Sequence, residues 1–157
     1  MKKVNDILNN IVYKESLEKL LKYEEKREFC RHDLKHFIDM ARIAYIMVLE
    51  KGLPYSKELI YAIGLLHDIG RVKQYEEGTP HHIASVELSK EILKEIDFTD
   101  EDKSIIIKSI ENHRQEADNE LSSIIYRSDK LSRDCFNCKA INGCYWSDEK
   151  KNLKINY

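Results

Sequence analysis

The amino-acid sequence predicts an all-α fold, a single-domain helical bundle of six to seven helices. Only five glycines and two prolines occur in 157 residues, which is too little turn punctuation for many short strands. Lys, Glu, Leu, Ile and Ala are abundant, and together they favour helices. Apolar residues also recur at three- and four-residue spacing along most of the chain. Because a chain of this length suits one core, we expect residues 1–157 to form a single domain.

The first half of the chain contains four predicted helices. Apolar side chains at helical spacing define the third, which ends before Gly52 and Pro54. Ser56 is the expected N-cap of the fourth helix, and Gly70 closes it. The four helices are predicted at residues 4–12, 14–29, 33–51 and 56–70.

The second half contains a loop, three further helices and an irregular tail. Residues 71–80 are predicted to be a polar loop because they include Gly78 and Pro80. Thr99 or Asp100 is expected to cap the middle helix of the three. These helices are predicted at 81–96, from about 100 onward and at about 119–134, followed by an irregular, cysteine-containing segment at 135–157. The domain thus divides into N-terminal helices (1–28), a core (29–134) and a tail (135–157).

Charge and hydrophobicity exclude several classes of protein. The formal net charge is −2, so no overall basic field predicts binding to extended nucleic acid. No long apolar run predicts a membrane span, and the N-terminus lacks the apolar region of a signal peptide. We therefore expect a cytoplasmic location, where the four cysteines are thiols or metal ligands in preference to disulfides.

Several histidines and one aspartate extend the apolar faces of the predicted helices. A single histidine in such a position is more often a hydrogen-bonded core residue than a ligand, so the prediction depends on the whole set. Buried carboxylates need charged partners, and a shared cation can satisfy side chains from several helices together. Histidine and aspartate suit Fe, Mn, Zn, Ni or Co. Five predicted helices each contribute one such residue: His36, His67, His81, His113 and Asp129.

Three segments of the sequence resemble the HD superfamily of metal-dependent phosphohydrolases. Leu65-Leu66-His67-Asp68-Ile69-Gly70-Arg71 resembles its central motif, the segment around His36 its first-histidine helix, and Ser128-Asp129-Lys130 the segment with its distal aspartate. The resemblance covers roughly residues 29–134. It implies a helical domain that binds one or two metals and cleaves phosphate esters or phosphoanhydrides. The ligands implied for the first metal are His36, His67, Asp68 and Asp129.

The remaining histidines resemble the two-metal branch of that family, in which Asp68 would bridge two metals. His113 matches the fourth histidine, whereas the third is open between His81 and His82. We prefer His81, because similar proteins have a small residue four positions after the ligand, as Ser85 is here. His32, four residues before His36, is left open between a supporting and a substrate-facing role. The implied cofactor is a dinuclear Fe or Mn centre, with Zn, Ni or Co as alternatives.

The resemblance implies hydrolysis of a small phosphorylated molecule or nucleotide by water activated at the metal. Asp68 would take part as the bridging ligand, and Arg71, Lys130 and Arg133, which are close in sequence to ligands, are candidates for offsetting phosphoryl charge. Two alternatives stay open. One is a diiron oxygenase of the same superfamily, which oxygen-dependent turnover would reveal. The other is a non-enzymatic module that senses a metal or ligand.

The four cysteines are predicted to converge. Cys30 is six residues before His36, and Cys135 is six residues after Asp129. If the helices of His36 and Asp129 are antiparallel, going six residues back from His36 and six residues forward from Asp129 moves in the same direction along the helix axes, by roughly 9 Å each. One hypothesis is a four-thiolate site that binds structural zinc or an iron–sulfur cluster. The alternative is that all four cysteines are reduced thiols without a metal. The cysteines concerned are Cys30, Cys135, Cys138 and Cys144.

Tyr145 and Trp146 are the aromatic residues of the tail that follow these cysteines. The sequence leaves open whether they cover the metal site or form the face of a homodimer.

Overall fold

In the computed structural model, residues 1–114 and 119–157 are described, and they form eight α-helices and two short 3-10 helices, with no β-strand among them. The all-α prediction is confirmed. The α-helices are α1 (Lys2–Asn9), α2 (Ile11–Glu24), α3 (Leu34–Glu50), α4 (Lys57–Leu66), α5 (Arg71–Glu77), α6 (His81–Leu93), α7 (Asp100–Asn112) and α8 (Glu120–Leu131). The 3-10 helices are Cys135–Asn137 and Ile141–Gly143, within the tail.

Side-chain caps set where the helices of the core begin. The Asp33 carboxylate accepts the His36 N–H at 2.9 Å, which starts α3 one turn before the first histidine of the proposed ligand set. The predicted cap Ser56 accepts the Leu59 N–H at 3.2 Å. Thr99, one of two candidate caps, does the same for α7. Each cap satisfies an N–H that has no partner inside the helix, so local sequence fixes these starts.

The prediction of a polar loop at 71–80 is wrong, because most of this segment forms the helix α5. Val72 is the one buried residue of this helix, which has only about two turns. The sequence therefore has too little apolar periodicity here to indicate a helix. Gly78, taken as a sign of a loop, instead ends the helix in the left-handed conformation with φ of 76°. The glycine and Pro80 therefore mark the short connection between α5 and α6.

Two other predicted boundaries also differ from the structure. The break between the first two helices lies at Asn10, whose extended backbone and side-chain cap on Tyr13 start α2. α4 ends at Leu66 instead of Gly70, and the intervening residues form turns. The His67-Asp68 pair therefore lies just after the helix, where its side chains are not restricted to one helical face.

The helices pack around a core between α3, α4, α6, α7 and α8. α3 packs against α4 and α8, while α7 packs against α4, α6 and α8. Gly64 permits the close approach of α3, because a Cβ there would lie 2.6 Å from the Ala41 Cβ. Gly70 does the same for α6, with a Cβ position only 2.1 Å from the Ser85 nitrogen. Within the described ranges, none of the helices combines the length and hydrophobicity that crossing a bilayer requires.

Candidate metal centre

Five elements of the fold bring the six sequence-predicted metal ligands to one buried site. All six side chains belong to residues that are at most 8 % exposed. The helices α3, α6 and α8 contribute one residue each, and a fourth residue directly follows α7. The other two lie in the turn after α4. In chain order they are His36, His67, Asp68, His81, His113 and Asp129.

The six residues form two groups that share Asp68. In each group, one possible ligand atom per residue lies within 4.8 Å of all the others. The first group contains four residues, as the first metal of the two-metal pattern requires. The second contains three, of which two are histidines. The groups are His36, His67, Asp68 and Asp129, and then Asp68, His81 and His113.

Carboxylate oxygens face imidazole nitrogens in both groups. In the second group, Asp68 Oδ1 lies 3.3 Å from His81 Nε2 and 3.5 Å from His113 Nε2. In the first, Asp129 Oδ1 lies 3.4 Å from His36 Nε2 and 3.9 Å from His67 Nε2. These separations are long for direct hydrogen bonds but suit two ligands of one cation.

Hydrogen bonds on the far side of two rings determine which nitrogen carries the proton. The His67 Nδ1 lies 2.8 Å from the Gly64 carbonyl oxygen, and the His113 Nδ1 lies 2.5 Å from the Ile110 carbonyl oxygen. A carbonyl can only accept, so both Nδ1 atoms donate. In a neutral ring, Nε2 then carries a lone pair.

The other two rings are held in the same way by side chains. The Ser132 hydroxyl donates to the Asp129 carbonyl oxygen at 2.9 Å, so it accepts a hydrogen bond from His36 Nδ1 at 3.0 Å. The Gln74 side-chain oxygen accepts from His81 Nδ1 at 3.1 Å. Contacts of this kind fix the tautomer and orientation of metal-binding histidines.

The centre therefore sets lone pairs against carboxylate oxygens, an arrangement that a cation between them would make favourable. Burial lowers the pKa of His67 to about 4 and that of His81 to about 3, so both rings are neutral at neutral pH. Burial alone would raise the pKa of Asp68, but Arg71 and His67 hold it well below its usual range. His36 Nε2, His67 Nε2 and Asp68 Oδ1 are buried without a hydrogen-bond partner. This set of nitrogen and oxygen donors fits a divalent transition metal.

The three cationic candidates contact the two carboxylates of the centre. Arg71 Nε lies 2.8 Å from Asp68 Oδ2. Lys130 Nζ and an Arg133 guanidinium nitrogen lie 3.0 Å and 3.7 Å from Asp129 Oδ2. Each cation thus contacts an Oδ2 atom, and on Asp68 that oxygen also lies 3.7 Å from His67 Nε2. In this arrangement the cations orient the ligands and reduce the negative charge around them.

His32 adds a further imidazole at the edge of the centre, outside both ligand groups. Its Nε2 lies 3.6 Å from Asp68 Oδ2. Its Nδ1 donates to the Glu24 carboxylate at 3.1 Å, and Tyr75 donates to the same oxygen at 2.7 Å. Burial would raise the pKa of Glu24, but these hydrogen bonds outweigh burial and hold it at about 2. The ionised Glu24 therefore anchors His32 against Asp68.

Sequence reasoning missed three residues that support the imidazoles: Glu24, Gln74 and Ser132. Glu24 lies on the buried face of α2, four residues after Leu20, so a carboxylate on an apolar stripe was the available signal. Ser132 follows Asp129 by three residues, which is one helical turn. Gln74 lies in the segment predicted as a loop, and we find no signal in the sequence for its role.

His81, and not His82, faces Asp68. His82 lines a separate surface cavity with Glu111 and Arg114. Because His81 is the first residue of α6, its neighbour points about 100° away around the helix.

A cavity of about 900 Å³ opens beside the centre, and His81, His113 and Asp129 form part of its wall. The tail contributes another part of the wall, including Tyr145 and Trp146. Trp146 stacks on the Arg133 guanidinium, 3.8 Å from the ring centre, whereas Tyr145 is 83 % exposed. Six cationic residues line this cavity: Arg114, Arg127, Lys130, Arg133, Lys150 and Lys151.

The structure places all four cysteines at the junction between the tail and the segment before α3. All four are free thiols, and Cys135 is buried. Cys30, Cys135 and Cys138 line one cavity of about 240 Å³. Cys30, Cys135 and Cys144 line an adjoining cavity of about 60 Å³.

Comparison with known proteins identifies the fold family. The sequence model for the HD domain matches residues 33–134, from the cap of α3 to the residue before Cys135. The chain belongs to the HD domain family. The tail and the first two helices lie outside the matched HD domain, although the tail forms a wall of the cavity beside the metal centre.

Similar proteins fall into two kinds by length. An uncharacterized protein of Clostridium beijerinckii is 48 % identical over 157 residues and covers the whole of both chains. Ribonuclease Y of Mycoplasma mycoides is 27 % identical over 113 residues, which are 71 % of this chain and 24 % of that protein. Ribonuclease Y of Clostridium tetani is 28 % identical over 113 residues, or 72 % of this chain and 19 % of that one. The chain therefore spans at most about a quarter of these Ribonuclease Y proteins.

A solved structure has the same fold. The crystal structure of a predicted HD superfamily hydrolase from an uncultured Thermotogales bacterium matches with a TM-score of 0.67. The match covers 95 % of this chain and 81 % of the other, at 20 % sequence identity. At that identity, the likeness shows a common HD fold.

Proposed function

We propose that this HD domain is a metal-dependent phosphohydrolase that cleaves a phosphate ester or phosphoanhydride of a small molecule or nucleotide. One observation carries the proposal: two buried ligand groups share Asp68 and open onto a cavity with a strongly cationic lining. The ligand groups match the requirement of metal-assisted hydrolysis, and the cations match that of a phosphorylated substrate.

Each residue of the centre has a distinct task under this proposal. His36, His67 and Asp129 would hold one metal, His81 and His113 the other, and Asp68 both. Two divalent metals bound in this way supply an activated water and offset the charge that develops on phosphoryl oxygens.

The supporting residues hold the ligand side chains in the orientation that metal binding requires. Ser132 and Gln74 hold the rings of His36 and His81 by their Nδ1 atoms, so that both Nε2 lone pairs stay directed inward. Arg71 Nε donates to Asp68 Oδ2 and so holds this carboxylate in place. Because these contacts exist in the folded chain, little reorganisation is needed when the ligands bind their metals.

The cavity supports a small anionic substrate. Its volume of about 900 Å³ falls within the range of small-molecule sites. Among the described residues that line it, six are cations, while the acidic ones are Asp129 and Glu149. The similarity to Ribonuclease Y supports including phosphodiesters, such as a short ribo-oligonucleotide, among the substrates to be tested.

The proposal is tested by metal reconstitution and a substrate screen. Chelator-treated protein would be loaded with Mn, Fe, Zn, Ni, Co or Mg, with iron handled anaerobically. Phosphate or product release would be measured on p-nitrophenyl phosphate, bis(p-nitrophenyl) phosphate, nucleoside phosphates and a short ribo-oligonucleotide. We expect turnover only with added metal.

A matched pair of variants makes the test specific to the centre. His81→Ala should lower kcat/KM at least about 100-fold, because it removes a ligand of the second group. His82→Ala should stay within about 3-fold of wild type, because that ring faces a separate cavity. Equal activity of the two variants, or metal-independent turnover, would contradict the proposal. Oxygen uptake without phosphate release would favour a diiron oxygenase instead, and tight metal binding without any turnover a sensing module.

A further inference from the structure

Every cysteine of the chain lies in one small region, although the four come from opposite ends of the sequence. Cys30 lies in the segment between α2 and α3, and the other three lie in the tail, beyond the matched HD domain. The ligand groups of the metal centre use none of them. Their convergence therefore needs an explanation of its own.

The backbone of the tail directs two of these thiols to the same side. Residues 135–137 form a 3-10 helix, and the Cys138 N–H donates to the Cys135 carbonyl oxygen at 3.2 Å. Cys138 follows this helix directly, and Cys135 and Cys138 both line the cavity of about 240 Å³. Cys144 follows the second 3-10 helix and makes the equivalent bond to Ile141 at 3.2 Å.

Cys30 and Cys135 connect the whole set. Both line the two adjoining cavities, whereas Cys138 lines one of them and Cys144 the other. Burial raises the pKa of the Cys30 thiol, Arg133 opposes that rise, and charge on Cys135 and Cys138 adds to it. The four thiols thus share one pair of adjoining cavities.

No three of the four sulfurs lie as close together as ligands of a single zinc ion. Zn–S bonds of about 2.3 Å put tetrahedral sulfur ligands roughly 3.8 Å apart. Over the described part of the chain, the only groups of three or more ligand atoms within 4.8 Å are the two His/Asp groups. No three of the cysteine sulfurs therefore approach that closely, and all four are free of disulfides. A polynuclear cluster needs no such approach, because it distributes the thiolates over several iron atoms.

The surroundings suit a group that carries negative charge. Arg133 and Lys151 line the smaller cavity together with Cys30, Cys135 and Cys144. Ordered cations and half-buried walls are features that stabilise thiolate-bound clusters and limit their contact with water.

We propose that Cys30, Cys135, Cys138 and Cys144 hold an iron–sulfur cluster that ties the tail to the HD core. The cluster joins the segment just before α3, the helix of His36, to the segment that carries Tyr145 and Trp146. It thereby fixes the tail as a wall of the cavity beside the metal centre. This proposal does not depend on the chemistry of the HD site, because the cysteines are separate from its ligands.

The test measures acid-labile sulfide, which the HD centre does not contain. The full chain would be produced with added iron and purified anaerobically, and iron, zinc, sulfide and the visible spectrum would be determined. We expect two or four sulfides per chain, as the common four-cysteine clusters contain, with broad visible absorption. His113→Ala should keep that sulfide while losing iron from the HD centre, which separates the two sites.

Variants assign the cluster to these residues. Cys138→Ser and Cys144→Ser should each lose most of the sulfide and visible absorption. Asn137→Ser, on the same 3-10 helix, should retain both, because Asn137 is exposed and has no thiol. If the cysteine variants do not fold, the sulfide content of the wild-type chain still decides the question. Wild-type protein with zinc and no sulfide, or with neither, would overturn the proposal.

Discussion

At the scale of single residues, the position of one proton on each imidazole determines what the centre can bind. His67 and His113 donate from Nδ1 to backbone carbonyls of their own turns, at positions three residues earlier. Their Nε2 atoms are left to face the carboxylates, that of His67 toward Asp68 and Asp129 and that of His113 toward Asp68. The other tautomer, with the proton on Nε2, would put a donor toward the carboxylates and leave no lone pair there for a metal.

Substitution of the two aspartates should separate the two ligand groups. Asp68→Asn removes the shared ligand, so we expect neither metal to be retained after gel filtration. Asp129→Asn alters the first group alone, so the second metal should remain. Metal content by mass spectrometry gives the stoichiometry of each variant. If Asp68→Asn kept one metal and Asp129→Asn lost both, Asp68 would not be the bridging ligand.

Glu24 should contribute to stability in a pH-dependent way. Its folded-state pKa of about 2 is lower than the ordinary 4.5, so its contribution is complete above pH 4.5 and is lost as the pH falls toward 2. We expect Glu24→Gln to lower the free energy of unfolding at pH 7 by roughly 1–3 kcal/mol. At pH 3.5 the difference from wild type should be smaller by about 1 kcal/mol.

Urea unfolding at the two pH values measures this difference. Glu25→Gln is the matched control, because Glu25 is next to Glu24 in sequence and its side chain is exposed. This substitution should change the free energy of unfolding by less than about 0.5 kcal/mol at either pH. A difference for Glu24→Gln that did not vary with pH would show that its charge is not what stabilises His32.

At the scale of secondary-structure elements, close packing at glycine places the histidine of α6 against Asp68. The Gly70 N–H donates to the Ser85 hydroxyl at 2.9 Å, and a Cβ at Gly70 would lie 2.6 Å from the His81 carbonyl oxygen. The atoms in contact belong to the α6 backbone, which cannot move away as a flexible side chain could. The distance between the turn after α4 and α6 is therefore set by the absence of a side chain.

Gly70→Ala should displace α6 and its histidine together. We expect a loss of roughly 2–4 kcal/mol in stability, as for other overpacked sites, and weaker metal binding at the second group. Thermal melting and metal titration measure the two effects. Gly143→Ala is the control, because a Cβ there would meet its nearest atom, Phe29 Cζ, only at 4.0 Å. A Gly70→Ala variant with wild-type stability would mean that α6 adjusts without cost.

At the scale of the whole molecule, the tail is attached to the end of α8. The Asn152 amide donates to the Leu131 and Arg133 carbonyl oxygens at 2.7 Å and 3.1 Å. The Phe136 N–H in turn donates to the Asn152 carbonyl oxygen at 3.0 Å. These bonds satisfy carbonyls that a helix end leaves without partners, and they bring Trp146 over Arg133.

Removal of the Trp146 ring should affect substrate binding more than the chemical step. We expect Trp146→Ala to raise KM several-fold with a smaller change in kcat, because the stacked Arg133 loses its support at the cavity wall. Tyr157→Ala is the control, since that ring contacts Glu50 and does not line the cavity. Steady-state kinetics on the best substrate of the screen provides the measurement. A fall in kcat at constant KM would place Trp146 in a different role.

The sequence by itself determined the all-α class, most helix starts and the residues from which the centre is built. These properties are local: a cap, an apolar stripe and a histidine at its edge all lie within a few turns of one another. The interpretation of 71–80 as a loop failed because α5 has one buried residue and is recognisable only from what it packs against. With it, the roles of Gln74 and Tyr75 were missed.

Only the tertiary structure decided how those residues are oriented and supported. Ser132 bonds to His36 across 96 positions of sequence, and Tyr75 reaches Glu24 across 51. Such contacts depend on the relative placement of helices, which follows from the packing of many side chains and leaves no periodic signal. The same holds for the tail as a cavity wall, because it brings together segments that local sequence cannot relate. The convergence of the four cysteines, in contrast, could be predicted from their spacing to His36 and Asp129.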